Sequence, residues 1–145
     1  MTLAAVLPVD HILVPLAARD RVEAIDALLV GLVREPETRA RVRAAVLARE
    51  EELTTGIGGG VAIPHARVAG IDQPLLALGI VPAGIDFRAI DDTPVRLVFL
   101  MVSSAEETDA HLALLAELCR LLNDAERRDR LAACTSAADA ATILG

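Results

Sequence analysis

The spacing of apolar residues along the chain alternates between helical and strand-like periods. After Asp20 an apolar residue recurs every three or four positions, which predicts a helix from about Arg21 to Val33. Asp20, followed three residues later by Glu23, forms a capping-box pattern at the start of this helix. The buried stripe of the helix is predicted to contain Ile25, Leu28, Leu29 and Leu32.

A second helix is predicted from Pro36 to about Glu51, because proline favours the first turn of a helix. The helical period turns Val42, Val46 and Leu47 towards the core. The last turn of this helix carries Arg49. Three more helices are predicted in the second half of the chain, over Glu107–Asn123, Ala125–Ala133 and Ala137–Leu144.

Two near-continuous apolar runs, Leu75–Val81 and Val95–Val102, predict central strands that are covered on both faces. Turn residues follow the first of these runs at Pro82–Gly84. Two shorter strands are predicted at Ile12–Leu16 and Val61–Ile63. The order of elements predicts an α/β protein with a single domain over residues 1–145, in which helices flank both sides of a mixed central β-sheet of about five strands.

A glycine-rich stretch that ends in a proline and a histidine follows the second helix. It reads TGIGGGVAIPHAR, from Thr55 to Arg67. Glycine amides can approach a bound anion, and glycine adopts positive φ without steric cost. Pro64 fixes its own φ and holds Ile63 extended, so the short strand delivers His65 at its end. A neutral imidazole can take up and release a phosphoryl group near pH 7, and this chemistry is predicted for His65.

Two common phosphate-binding motifs are excluded by the residues that follow the glycines. A P-loop requires Lys and then Ser or Thr, whereas Val61 and Ala62 stand at these positions. A dinucleotide-binding loop requires a long helix, which Pro64 would interrupt within a few residues. From this segment alone, a glycine-rich hairpin that merely ends in a histidine is an equally good interpretation.

Charge and hydropathy exclude two classes of partner. The formal net charge of −7 argues against nucleic-acid binding, because phosphate backbones require a basic surface. No uninterrupted apolar run approaches the ~20 residues that cross a bilayer, so no direct membrane insertion is predicted and a cytoplasmic location is expected.

The remaining residues with reactive side chains offer no metal site. Cys119 and Cys134 have apolar neighbours and lack metal-ligand spacing, so both are predicted to be buried free thiols. His65 and His111 lack a third ligand at a suitable spacing, and neither a metal nor another cofactor is predicted. His11 lies outside these motifs and is predicted to be a surface residue.

The stretch from Thr55 to His65 resembles the phosphorylation-site signature of type-2 enzyme IIA domains of the sugar phosphotransferase system. This is the mannitol, fructose and nitrogen-regulatory class. The resemblance covers essentially all 145 residues in order. Outside the loop it rests on Arg49-Glu50-Glu51, Gly84–Phe87, Val95–Leu100, and His111 at the start of an apolar segment.

The resemblance implies that His65 is a covalent carrier. In this family the matching histidine accepts a phosphoryl group on Nε2 from the phosphohistidine of HPr and passes it to a cysteine of a IIB component, which acts with a IIC membrane permease. The family also implies that Arg49 and His111 hold the phosphoryl oxygens or orient the ring. No magnesium or nucleotide is implied, since the donor is a phosphoprotein. The predicted phosphoryl-pocket loop consists of Thr55, Gly56, Gly58, Gly59 and Gly60.

Two positions depart from the family pattern, and two other functions stay open. Gly59 stands where the family usually has asparagine, and Ala66 where it often has glycine. One alternative is a regulatory IIA protein whose phosphorylation state reports nitrogen or carbon status to a target protein, without sugar transport. The other is a protein that keeps the fold and only binds partners. Retention of Arg49, His65 and His111 together argues against the second alternative.

Overall fold

The computed structural model describes residues 3–145 and has three layers, in which a six-stranded sheet separates two groups of helices. The helices are α1 (Leu3–Val6), α2 (Arg21–Leu32), α3 (Pro36–Glu52), α4 (Thr108–Leu122), α5 (Ala125–Ala132) and α6 (Ala137–Leu144). The strands are β1 (Ile12–Leu13), β2 (Gly56–Gly58), β3 (Val61–Ala62), β4 (His65–Val68), β5 (Leu75–Ile85) and β6 (Val95–Ser104).

The sheet has the order β1-β5-β6-β3-β2, and β4 pairs with β6 beyond the end of β3. The pairs β1–β5, β3–β6 and β4–β6 are parallel, whereas β5–β6 and β2–β3 are antiparallel. Both long strands therefore lie in the centre. The predicted mixed sheet with helices on both faces is confirmed.

Side-chain alternation along β6 divides the core into two parts. Even-numbered residues from 98 to 102 pack with α2 and α3, and odd-numbered residues from 97 to 101 pack with α1, α4, α5 and α6. Burial of β6 on both faces explains why its sequence is a continuous apolar run.

Helices α2 and α3 agree closely with the helices predicted from the sequence. Every residue of the predicted α2 stripe is buried, and the Asp20 carboxylate caps the helix by accepting from the Glu23 amide at 2.9 Å. Helix α3 begins at Pro36 and carries Arg49 in its last turn, as predicted. The end of α3 thereby brings Arg49 to the start of the glycine-rich segment.

The predicted turn at Pro82–Gly84 is wrong, because β5 continues through these residues to Ile85. The ladder with β6 shifts register between Ile80 and Ile85, so the intervening residues bulge. A proline is tolerated in such a bulge, because a bulged residue does not have to donate a backbone hydrogen bond to the neighbouring strand. Gly84 supplies the positive φ of 78° that the bulge requires.

The first strand is shorter than predicted and the first histidine is less exposed. Strand β1 ends at Leu13 instead of Leu16, although the Leu16 amide still bonds to the Ile80 carbonyl at 2.7 Å. Pro15 has no amide with which to continue the ladder. His11 is half-buried, and its Nδ1 lies 3.1 Å from the Leu76 carbonyl, so the prediction of a simple surface residue is wrong.

Strands β3 and β4 are two halves of one extended segment that runs beside β6. The carbonyls of Gly60, Pro64 and Val68 accept hydrogen bonds along β6 and just beyond its end, so even-numbered residues direct their backbone groups towards β6. Pro64 lacks the amide that this position would supply, and the ladder is interrupted there. The sequence predicted a strand that ends before His65, whereas the structure starts the additional strand β4 at His65.

Among the described residues, no helix combines the length and the apolar character needed to cross a membrane.

A buried carboxylate fastens the end of α3 to the segment that leads into β2. The side chain of Glu50 is 2% exposed and accepts from both the amide of Thr55 at 2.8 Å and its hydroxyl at 2.5 Å. The guanidinium of Arg21 lies 3.8 Å from the same carboxylate. These hydrogen bonds fix the position of Thr55 against the end of α3.

We predict that Glu50→Ala lowers the free energy of unfolding by about 2–4 kcal/mol, because the amide and hydroxyl of Thr55 would stay buried without an acceptor. Urea denaturation monitored by circular dichroism measures this change. The exposed neighbour provides a matched control, since Glu51→Ala should alter the same quantity by less than about 0.5 kcal/mol. Equal losses in the two variants would contradict the anchoring role.

Candidate functional site

His65 lies at the first position of β4, half-buried, and its ring folds back onto its own backbone. Nδ1 lies 2.7 Å from the carbonyl oxygen of Ile63. A carbonyl only accepts hydrogen bonds, so Nδ1 must carry the proton of the neutral ring. Nε2 is then left with the lone pair, which makes it the nucleophilic nitrogen.

The Ile63 carbonyl is available to His65 because its cross-strand partner is engaged elsewhere. The register of β2 with β3 places Thr55 opposite Ile63, and the Ile63 amide does bond to the Thr55 carbonyl at 3.0 Å. In such an antiparallel pair the second bond would run from the Thr55 amide to the Ile63 carbonyl. That amide donates to Glu50 instead. The Ile63 carbonyl therefore has no donor from the facing strand, and the ring of His65 is its partner.

His111 lies on the facing helix, close to His65. The two ring centroids are 5.4 Å apart and the rings are tilted by 56°. His111 is 7% exposed, and it lies on the buried face of α4 with Leu114 and Leu118. Its Nδ1 lies 2.5 Å from the hydroxyl of Ser103, at the end of β6. The structure thus brings together the two histidines that the sequence singled out.

Two arginines provide positive charge near the histidine pair. Arg49 lines the same cavity as His65, and one guanidinium nitrogen donates to the Leu53 carbonyl at 2.7 Å. Arg67 follows His65 by two residues in β4, and its guanidinium donates to the Thr108 hydroxyl at the start of α4 at 2.6 Å. Sequence analysis missed Arg67. Strand alternation would have placed it on the face of His65 if β4 had been predicted.

The cavity beside His65 has a volume of about 330 Å³. Thr55 and Gly56 of the predicted phosphoryl-pocket loop line it, together with apolar side chains. Three of these apolar residues are unusually exposed for their type: Leu53 at 65%, Ile57 at 45% and Ile90 at 75%. We call these three residues the apolar rim. A mostly apolar cavity with a few convergent polar groups is typical of a binding site.

Gly58 ends β2, Gly59 and Gly60 form the turn between β2 and β3, and the structure does not place these three glycines in the His65 cavity. All three have positive φ, at 95°, 66° and 79°. Gly58 and Gly59 line a neighbouring cavity of about 440 Å³, and the Gly59 amide donates to the Asp91 carboxylate at 3.0 Å. The hairpin interpretation therefore describes the local backbone, while the histidine at its end faces His111.

The two departures from the family pattern have different surroundings. A side chain at Gly59 would place its Cβ 2.8 Å from Nε of Arg128, so the guanidinium of Arg128 occupies the space that an asparagine here would need. Ala66 is buried in the core formed with α2 and α3. It points away from the ring of His65, because successive strand residues face opposite sides.

Cys119 is exposed, which corrects the prediction that both cysteines are buried. It lines the His65 cavity and the neighbouring one. The buried stripe of α4 passes through Leu118 and Leu122, and one residue further along a helix points about 100° away from the stripe. Cys134 is buried as predicted, and burial raises the pKa of its thiol. Within residues 3–145, no group of His, Cys, Asp and Glu side chains has the clustering that a metal ion requires.

The pKa of His111 is lowered from its ordinary value. Burial is the main cause, and the nearby His65 and Arg67 contribute through charge repulsion. The lowered pKa favours the neutral ring of His111.

The chain belongs to the EIIA 2 family of the phosphoenolpyruvate-dependent sugar phosphotransferase system, since residues 5–145 match the model of that family. A nitrogen regulatory protein from Pseudomonas aeruginosa is 41% identical over 86 residues, which are 59% of this chain and 56% of that protein. The chain thus matches little more than half the length of this relative.

Solved structures from both branches of the family share the fold. Nitrogen regulatory protein IIA-Ntr from Neisseria meningitidis has a TM-score of 0.89 at 30% identity, and the match covers 98% of each chain. Enzyme IIA for mannitol from Escherichia coli, in its complex with phosphorylated enzyme IIB, has a TM-score of 0.75 at 26% identity, covering 93% of this chain and 94% of that chain.

We predict that protonation of His111 makes the protein less stable at mildly acidic pH. Above an unfolded-state pKa of about 6.5, the residue is neutral in both states and contributes no pH dependence. Below that value the unfolded chain takes up the proton first, because the folded-state pKa is lower. The free energy of unfolding therefore decreases as the pH is lowered. The contribution of His111 to this decrease reaches its full size once the pH lies below the folded-state pKa.

Urea denaturation of the parent protein and of His111→Gln between pH 8 and pH 5 tests this prediction. The glutamine variant keeps a polar side chain but has no proton to gain, so its stability should fall less steeply below pH 6.5. Parallel pH profiles would show that His111 does not have the lowered pKa.

Proposed function

We propose that this protein is a phosphocarrier of the phosphoenolpyruvate-dependent phosphotransferase system. His65 accepts a phosphoryl group from the phosphohistidine of an HPr-type protein and passes it to the cysteine of a IIB component. One observation carries the proposal: the Ile63 carbonyl, 2.7 Å from Nδ1 of His65, leaves Nε2 as the nucleophile beside a second histidine. The family match over residues 5–145 supports the same reaction class.

Each transfer exchanges one phosphorus bond for another. The lone pair on Nε2 of His65 attacks the phosphorus atom of the donor, while the bond between phosphorus and the donor imidazole breaks and its electron pair returns to the donor nitrogen. In the second step the thiolate of the acceptor attacks the same phosphorus atom. The bond from phosphorus to Nε2 of His65 breaks, and the neutral ring is restored. The in-line geometry requires donors around the equatorial oxygens.

His111 and the two arginines can provide these donors. Arg49 uses one guanidinium nitrogen for the Leu53 carbonyl, and Arg67 uses one for the Thr108 hydroxyl. Because each guanidinium has five N–H donors, both side chains keep further donors for phosphoryl oxygens. The buried His111 can donate from its ring without bringing a permanent charge into the empty site.

The surface around the cavity has the character of a protein-docking site. The apolar rim surrounds the opening to His65, and Leu112 on α4 is also 56% exposed. Glu51 and Glu52 are exposed next to Leu53, and the net charge of −7 favours a partner with a basic face. The relative solved in complex with phosphorylated enzyme IIB supports docking of a IIB component.

A second candidate function is favoured by the similarity to nitrogen regulatory proteins. The TM-score of 0.89 to IIA-Ntr and the 41% identity to a nitrogen regulatory protein support a carrier whose phosphorylation state controls a target protein. The chemistry at His65 is the same in both functions, and the partner that reads the phosphoryl group differs. In either case we propose a cytoplasmic location and treat residues 1–145 as one functional domain.

We predict that His65→Ala abolishes phosphorylation and leaves the fold intact. Intact mass is measured after incubation with phosphoenolpyruvate, enzyme I and HPr, before and after acid treatment. The parent protein should gain one phosphoryl group that acid removes, because phosphohistidine is acid-labile. His11→Gln is the matched control, since His11 lies outside the cavity, and it should be labelled like the parent.

Labelling that persists in His65→Ala would overturn the site. A parent protein that gains no mass with its cognate HPr would favour a member of the family that only binds partners. Adding a purified IIB component or a candidate target afterwards distinguishes the two functions. Loss of the label to IIB supports the transport function, whereas a phosphorylation-dependent complex with a target supports the regulatory one.

We predict that Ile90→Ser weakens docking without harming the chemistry. Loss of an apolar side chain from an interface centre typically costs about 1–2 kcal/mol, which corresponds to an increase in KM for phospho-HPr of about fivefold to thirtyfold. Labelling by the small donor phosphoramidate should proceed at the parent rate. Val30→Ser is the control, because Val30 is 61% exposed on α2, in the opposite layer. An unchanged KM in Ile90→Ser would show that the apolar rim does not dock the donor.

A further inference from the structure

Ser103 is a buried polar residue that sequence analysis did not single out. It lies near the end of β6, is fully buried, and by strand alternation projects on the same side as Met101, towards α4. Its hydroxyl lies 2.5 Å from Nδ1 of His111. Among the described residues, this ring nitrogen is the one hydrogen-bond partner of the hydroxyl.

The direction of this hydrogen bond follows from burial. A serine hydroxyl can donate or accept, but a buried O–H group without an acceptor is unfavourable. Since Nδ1 of His111 is the partner of the hydroxyl, the Ser103 hydrogen must point to it. Nδ1 then accepts and carries no proton. The neutral ring of His111 consequently has its proton on Nε2, on the far edge of the ring from Ser103.

The two histidines are therefore held in opposite tautomers by different partners. The Ile63 carbonyl can only accept, which fixes the proton of His65 on Nδ1. The Ser103 hydroxyl donates, which fixes the proton of His111 on Nε2. The ring centroids lie 5.4 Å apart, so a ring with a nucleophilic nitrogen and a ring with an N–H donor are direct neighbours.

We propose that Ser103 is a positioning residue, whose hydroxyl donates to Nδ1 of His111 and thereby makes Nε2 of His111 a donor to the phosphoryl group carried on His65. The part that concerns the phosphoryl group rests on the proposed function, whereas the tautomer of His111 is a property of the protein alone. The proposal requires no proton transfer from His111, which donates a hydrogen bond and stays neutral.

Removing the Ser103 hydroxyl would let His111 adopt either tautomer. In the wrong tautomer, Nε2 would direct a lone pair at the phosphoryl oxygens and repel them. Partners that orient a functional histidine typically contribute tenfold to a hundredfold to its activity. We expect Ser103→Ala to lower kcat for phosphoryl transfer by about tenfold while KM for phospho-HPr stays within about twofold, because the docking surface is unchanged.

Nitrogen-15 NMR of the three histidine rings at pH 7.5, without any phosphoryl donor, tests the tautomers directly. In the parent protein we expect His111 to be protonated on Nε2 and His65 on Nδ1. In Ser103→Ala the His111 signals should move towards a mixture of tautomers, and Ser103→Thr should restore the parent pattern. A proton on Nδ1 of His111 in the parent protein would overturn the proposal, whether or not the protein takes up a phosphoryl group.

Kinetics of transfer from phospho-HPr then test the functional role with a matched control. Ser104 is the adjacent buried serine, and its hydroxyl bonds to Glu106 instead of a histidine, so Ser104→Ala should keep the parent tautomers and rates. Ser103→Thr should recover most of the rate lost in Ser103→Ala. A parent rate in Ser103→Ala, with the tautomer of His111 lost in the NMR spectrum, would show that the hydroxyl does not act on the reaction.

Discussion

The hydrogen bond from Nδ1 of His65 to the Ile63 carbonyl decides what the site can do. A neutral imidazole exchanges its proton between two nitrogens, and only an unprotonated nitrogen can attack phosphorus. The carbonyl removes this ambiguity at a distance of 2.7 Å. In the proposed function, the cavity, the arginines and the second histidine act on a nucleophile whose direction this one bond fixes.

A buried carboxylate at the end of α3 removes the strand partner that would compete for this carbonyl. Glu50 takes the Thr55 amide, which the hairpin register would otherwise pair with the Ile63 carbonyl. The side chain that anchors the helix to the hairpin thus also leaves one carbonyl unpaired within it. Stability and chemistry are linked here through backbone groups. The burial of Glu50 has a structural reason, and it requires no contact between this carboxylate and phosphorus.

Elements with a strong hydrophobic period could be predicted from the sequence, and short elements could not. The stripe of α2 and the apolar runs of β5 and β6 each mark a long element that buries a whole face. Strand β4 has only four residues and starts directly after Pro64, so no period reveals it. Proline and glycine occur in bulges as well as in turns, so the sequence does not distinguish a bulge from a turn at Pro82–Gly84. Pairing of β5 with β6 makes this segment a bulge.

The same distinction applies to the site. His65 and His111 could be selected from the sequence, since a glycine-rich loop and a family resemblance mark them. Arg67 and Ser103 could not, because each joins the site only through the register of its strand beside α4. The exposed thiol of Cys119 depends on a rotation of about 100° around a helix, which apolar neighbours do not reveal.

Chemistry and partner choice occupy different parts of this surface. The tautomers of both histidines are set by groups within the chain, the Ile63 carbonyl and the Ser103 hydroxyl, which no partner has to provide. The apolar rim lies outside this network, and in the proposed function it is the surface on which a second protein docks. Substitutions on the rim can therefore change the donor or acceptor while the nucleophile stays intact. Such a separation fits a fold that enzyme IIA for mannitol and nitrogen regulatory protein IIA-Ntr share.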